Sequence, residues 1–255
     1  MSVKVRHEIE AGCLTIWNCN AARRNALSVE YYEGLLAGLA EADARSDIAA
    51  VILAGEGGFF CAGGDLNTLK ERRDLSENER RAQIEKLNSV IRAIRNCRKP
   101  VIAAVEGGAA GAGLSIAMAC DMIVASETAK FTLAYVKAGL VPDGGATYSL
   151  LQALPRATVA RMALLGTPIE AGRLFEMGAV TEIVPEGGVQ DAAQALAEEI
   201  AAGRQDAVGE LRAEISGLTR FLTGSLGEFL DRRFESDKLK RLILANSLYG
   251  KHGGP

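Results

Sequence analysis

The stretch KPVIAAVEGGAAGAGLSIAMACDMIVAS, residues 99–126, decides the fold class. Pro100 stops whatever helix precedes it. Residues 100–107 then form a short, unbroken apolar run, the pattern of a strand buried on both faces. GGAAGAG reads as a glycine loop, LSIAMAC as a short buried helix, and residues 121–126 as a second strand. Strand, loop, helix and strand in that order predict an α/β domain with a largely parallel sheet.

Upstream, Val3, Val5, His7 and Ile9 alternate, Ala11–Gly12 turns the chain, and Leu14 and Ile16 continue on the other side, as in a β-hairpin. Ser28 reads as the N-cap of a helix striped by Leu35, Leu36 and Leu39. Residues 48–55 form another buried strand and run into a glycine-rich loop, GEGGFFCAGGDL (55–66). The charged residues 70–81 suggest a solvated helix or loop, followed by a helix to about Arg98. Beyond Pro155 the chain reads as mostly helical: 156–165, 170–177, 189–202, 206–222 and 226–248, interrupted by one strand at 179–185.

With 255 residues, 48% of them hydrophobic, the chain can bury one sizeable core. A net charge of −3 without a long basic run argues against nucleic acid as a partner. The longest apolar stretch, near 109–119, is short and broken by glycines, which argues against a membrane span. MSVKVRHEIEAG lacks a signal-peptide core, and the five cysteines show no CxxC spacing, so reduced thiols in the cytoplasm are expected. No metal-ligand cluster is spelled out, and the glycine loops match neither GxGxxG nor a P-loop. Ser115 sits in a degraded nucleophile elbow, yet only His7 and His252 could serve as its base.

The two glycine loops share a position. Each ends a buried strand and opens a helix, so backbone N–H groups from both can converge on one oxyanion. Asp143, in GLVPDGGATYSL (139–150), follows them. It reads either as the N-cap of a helix starting near Gly144 or as an acid–base group walled by Leu140 and Val141.

Several segments together, RRNALS, GGFFCAGGDL, the opening stretch, AKFTLAYVKAGLVPDGGATYSL and LLGTPIEAGRLFEMGAVTEIVP, resemble the crotonase superfamily, the enoyl-CoA hydratase/isomerase family. The resemblance covers roughly residues 10–205. It implies a spiral of ββα turns forming two stacked sheets over residues 1–200. It also implies a C-terminal helical region, 201–255, that builds a homotrimer or a dimer of trimers. The substrate implied is an acyl-CoA thioester, with coenzyme A entering as part of the substrate and no separate cofactor. Gly64 and Ala112 take the places of the two oxyanion N–H donors. Arg24, Ala26, Ala62, Asp65, Leu66, Ser115 and Tyr135 fall at positions around the acyl-CoA, Asp65 more as a helix cap than as an acid.

One departure shapes the functional reading. Hydratases of this family hold a water between two glutamates, and those positions are Ser115 and Tyr135 here. Asp143 occupies the place of the aspartate that family isomerases use to move a proton. It is a nucleophile in related 4-chlorobenzoyl-CoA dehalogenases, but the histidine and tryptophan of that group are replaced by Asn88 and Tyr135. The sequence therefore points to an enoyl-CoA isomerase. Hydratase, dehalogenase-like or thioester-hydrolase chemistry, and a non-catalytic acyl-CoA-binding role, stand as alternatives.

Overall fold

The computed structural model describes residues 4–65 and 75–203. Strands β1 (Val5–Glu10) and β2 (Cys13–Asn18) form the expected hairpin, turning through Ala11 and Gly12 at positive φ. Helix α1 (Val29–Ala44) follows, with the Ser28 hydroxyl accepting from the Tyr31 N–H, a cap worth about 1 kcal/mol. Strand β3 (Ala50–Gly55) comes next. Helix α2 (Glu77–Asn96) begins with a capping box between Ser76 and Glu79. Most of the charged 70–81 segment that is described is therefore the solvated first turn of a helix.

The opening stretch folds into β4 (Val101–Val105), β5 (Gly108–Ala110), α3 (Ala112–Ala117) and β6 (Met122–Ser126). Strand β7 (Lys130–Thr132) leads to a 3-10 turn at Ala134–Ala138, and then to α4 (Ala146–Ala153) and α5 (Arg156–Leu165). Strand β8 (Ile169–Glu170), α6 (Ala171–Glu176), β9 (Glu182–Val184) and α7 (Val189–Ala202) complete the described chain.

The strands form two sheets. The larger has the order β1-β2-β3-β4-β6-β9, parallel from β2 onward. The smaller has the order β5-β7-β8, extended by single bridges from Ala109 to Cys61 and from Gly64 to Leu27. Ala109 and Phe131 of the small sheet share one core with Leu53, Val105 and Ile123 of the large one, so the sheets face each other across it. The other face of the large sheet presents Ala50, Ile52, Ile102, Ala104 and Val124 to α7. Its Ala193 and Ala197 are small enough for close approach. Covered on both faces, the strands read as unbroken apolar runs. The fold is the expected mixed α/β architecture of two sheets with helices.

Three expectations are corrected. Residues 108–110 are a strand and not part of a loop, because the Lys130–Thr132 segment pairs with them in register. The helix after Asp143 starts at Ala146 with Gly145 as its N-cap, and no side chain caps it. Leu140 and Val141 are 45% and 82% exposed, so they do not wall in the carboxylate. The expected helices at 206–222 and 226–248, and so the 201–255 region almost entirely, lie outside the described residues, as do Leu66 and His252.

Candidate active site

The site is built where β3 and β4 end. Residues 59–64 and 106–112 run side by side and are tied by hydrogen bonds from Phe60 N–H to the Glu106 carbonyl (2.9 Å) and from Ala110 N–H to the Cys61 carbonyl (2.9 Å). Two glycines set the spacing. A Cβ on Gly63 would lie 3.0 Å from the Ala112 nitrogen and closer to the Ala110 oxygen. Gly63 also adopts φ +84°, which an L side chain resists. A Cβ on Gly113 would lie 2.8 Å from the Cys61 Cβ, with the Cys61 carbonyl oxygen nearer still. Only two bare glycine backbones let the loops approach this closely.

The pairing leaves two donors over. Leu27 N–H bonds to the Gly63 carbonyl at 2.8 Å, which satisfies the bridge to Gly64 without using the Gly64 N–H. Ala112 is the first residue of α3, so its N–H has no partner within the helix. Among the described residues neither N–H has an acceptor. The structure thus brings Gly64 and Ala112 into adjacent segments with both N–H groups uncommitted, as an oxyanion hole requires.

One helical turn along α3 lies Ser115, fully buried. Its hydroxyl is 3.1 Å from the Tyr135 hydroxyl, 3.2 Å from the Asp143 carbonyl oxygen and 3.4 Å from the Gly111 carbonyl oxygen. The Tyr135 hydroxyl donates to the Asp143 carboxylate at 2.6 Å. Burial, and then the negative charge of Asp143, push the Tyr135 phenol well above its ordinary value, so it remains a donor. Gly144, at φ +58°, makes the approach possible: a Cβ there would meet Leu87 at 2.9 Å and Ser115 at 3.1 Å. Asp143 is therefore no N-cap. Its half-buried carboxylate is held over α3 by a tyrosine.

The other expected residues surround this centre. Asp65 forms an ion pair with Arg23; the helix it was expected to cap lies outside the described residues. Arg24 is exposed, its guanidinium 5.8 Å from the centre of the Phe59 ring, and its carbonyl accepts from Ala62 N–H. Ala26 is buried, and its carbonyl accepts from the Asn20 side chain. Among the described residues Ser115 has no histidine nearby of the kind a nucleophile elbow needs. His7 instead meets the Gly34 carbonyl. No cluster of potential metal ligands occurs among the described residues. Cys13, Cys61 and Cys97 are buried free thiols, and Cys19 and Cys120 are partly buried ones.

Asn25 is the residue that sequence reasoning passed over. It is fully buried at φ +55°, donates to the Glu56 and Phe59 carbonyls, and accepts from Asn20 N–H. It therefore ties the Arg24 loop to the oxyanion loop. Its place between Arg24 and Ala26 in RRNALS was visible, but its left-handed backbone was not.

Residues 8–224 match the family described as enoyl-CoA hydratase/isomerase. The chain belongs to this family. It is similar to 1,2-epoxyphenylacetyl-CoA isomerase of Escherichia coli K12, 32% identical, over 82% of this chain and 80% of the relative. It is also similar to 2,3-dehydroadipyl-CoA hydratase of the same organism, 33% identical over 71% and 69% of the two chains. Among solved structures it resembles an enoyl-CoA hydratase from Polaromonas sp. JS666, with a TM-score of 0.83 and 35% identity, covering 89% and 87%. This places the protein among the family's enzymes and makes an acyl-CoA thioester the consistent substrate class. Relatives of both reaction names surround it. No helix among the described residues is long and apolar enough to cross a membrane.

Proposed function

We propose that the protein is an enoyl-CoA isomerase in which Asp143 moves a proton along the acyl chain of a 3-enoyl-CoA. The observation that carries this reading is the direct 3.1 Å contact between Ser115 and Tyr135. These are the two positions at which family hydratases hold a water between carboxylates. Here two hydroxyls touch each other, so neither position supplies a carboxylate and no water bridges the two. The carboxylate at the centre belongs to Asp143. The relative named 1,2-epoxyphenylacetyl-CoA isomerase gives independent support for isomerase chemistry on this framework.

The thioester oxygen accepts from the Gly64 and Ala112 N–H groups. Asp143 removes a proton from C2, and the electron pair passes into the thioester as an enolate. Two preorganised donors stabilise that charge, and removing one such donor typically costs about 10²–10³ in rate. The carboxylic acid then returns the proton to C4, and the double bond settles between C2 and C3. In this reading Arg24, which is exposed, meets a CoA phosphate with its planar guanidinium. The chemistry calls for no redox cofactor or metal, and coenzyme A arrives with the substrate. Asp143→Asn is expected to abolish conversion of a 3-enoyl-CoA to its 2-enoyl isomer while acyl-CoA still binds by calorimetry. Undiminished turnover in that variant would sink the reading.

A further inference from the structure

We infer that Ser115 and Tyr135 form a hydrogen-bonded chain that couples the Asp143 carboxylate to the Gly111–Ala112 peptide. This inference rests on the reading of Asp143 as the proton carrier. The chain runs from Asp143 Oδ1 to Tyr135 Oη (2.6 Å), to Ser115 Oγ (3.1 Å), to the Gly111 carbonyl oxygen (3.4 Å). The Gly111 carbonyl and the Ala112 N–H belong to one peptide group. Donation to that oxygen polarises the N–H that faces the thioester. The base and the oxyanion hole are thus the two ends of one polar path.

Each hydroxyl has a single proton to give. While Asp143 is ionised, the phenol proton is committed to the carboxylate, and the Ser115 proton serves the phenol oxygen. Once Asp143 takes the C2 proton, its demand on Tyr135 falls. The Ser115 proton can then turn to the Gly111 carbonyl at 3.4 Å, in competition with the Asp143 carbonyl at 3.2 Å, and to the extent that it does the Ala112 N–H becomes a stronger donor just as the thioester oxygen becomes an enolate. The only covalent changes are loss of the substrate C–H and gain of a carboxyl O–H; the hydroxyls merely rotate. Burial of Ser115 in α3 keeps water from competing for the path. Ser115 and Tyr135 are positioning residues here, acting through Asp143 and the peptide.

The test uses the full chain with Tyr135→Phe, Ser115→Ala, the double variant and Asp143→Asn. Turnover is followed with trans-3-hexenoyl-CoA, and difference infrared spectra record the thioester carbonyl stretch of bound trans-2-hexenoyl-CoA. Both single substitutions delete one oxygen only, and circular dichroism checks folding. Each is expected to lower kcat by about tenfold or more with KM changed no more than about twofold. The double variant should fall no lower than its worse single, since either change cuts the same chain. In the Asp143→Asn background, where the uncharged side chain frees the Ser115 proton for the Gly111 carbonyl, adding Ser115→Ala should also move the carbonyl stretch toward that of the unbound thioester. The inference is overturned if the two losses multiply, if Ser115→Ala leaves kcat at the wild-type value, or if adding it to Asp143→Asn leaves the carbonyl stretch unmoved. Turnover surviving in Asp143→Asn would instead overturn the reading of Asp143 itself.

Discussion

Gly113→Ala offers a sharp test of how the two loops make the site. Within a helix, alanine in place of glycine ordinarily stabilises by about 1 kcal/mol. Gly113 lies in α3 without a positive φ, so the backbone raises no objection. The objection is steric. The new Cβ would sit 2.8 Å from the Cys61 Cβ, where ordinary contact begins at 3.4 Å, and its neighbours include the Cys61 backbone, not a flexible side-chain tip. Relief requires the loops to part by about 0.6 Å or more. Overpacking of this kind costs about 1–3 kcal/mol, which outweighs the helical gain. A displacement near 1 Å in a catalytic constellation costs about a hundredfold in rate. We expect a lower urea midpoint and a kcat reduced by about 10². Gly172→Ala is the control: it also lies in a helix, α6, and nothing stands within 4 Å of its added Cβ. It should gain about 0.5–1 kcal/mol with unchanged activity. If Gly113→Ala matched Gly172→Ala in both measurements, the argument that bare backbone contact sets the oxyanion geometry would be refuted.

Other outcomes follow from burial and hydrogen bonding. Tyr31 and Tyr135 both have folded-state pKa values raised above the ordinary 10.0, chiefly by burial. Their contribution to stability is whole below that pH and is lost as pH rises toward the folded values. Tyrosinate absorbance from these two should therefore appear only as the circular dichroism collapses; ionisation of all five tyrosines in a folded protein would contradict this. Burial pushes the Cys13 and Cys61 thiols up to about 12, so a thiol reagent near neutral pH should leave both unmodified until urea is added. Peptide mapping that finds either labelled in the native protein would count against their burial. Asn25→Ala should cost about 3 kcal/mol in urea unfolding, because it removes two donated bonds, strands Asn20 N–H and places alanine at positive φ. A loss under about 0.5 kcal/mol would show that the tie is dispensable.

The long-period features of the fold were legible. The hairpin at 5–18, the buried runs at 50–55, 101–105 and 122–126, and the helices at 156–165 and 189–202 all follow from apolar pattern and flanking turn residues. The small sheet was not. Gly108–Ala110 and Lys130–Thr132 are three residues each, too short to show a pattern, and they are strands because they lie beside each other in register, with Ile169–Glu170 on the far side of the second. The same division runs through the site. Glycines 63, 64, 111 and 113 announced backbone donors, since little else demands so many bare positions after two buried strands. The Asp143–Tyr135–Ser115 contacts join residues 20 and 8 positions apart on separate elements, and nothing in their local sequence discloses them. Local pattern suggested a helix cap for Asp143, and tertiary contact overrode it.

In the proposed mechanism two peptide groups hold the charge, while the Asp143 side chain moves the proton and the side chains of Ser115 and Tyr135 position it. A point substitution can replace a side chain outright, but it leaves a backbone N–H in place unless it introduces proline or shifts the loop. On that mechanism the ability to steady an enolate is insulated from most mutations, whereas the fate of that enolate is exposed to them. A lineage carrying this framework can exchange one reaction for another through a few codons without passing through a form that has lost its hold on the thioester.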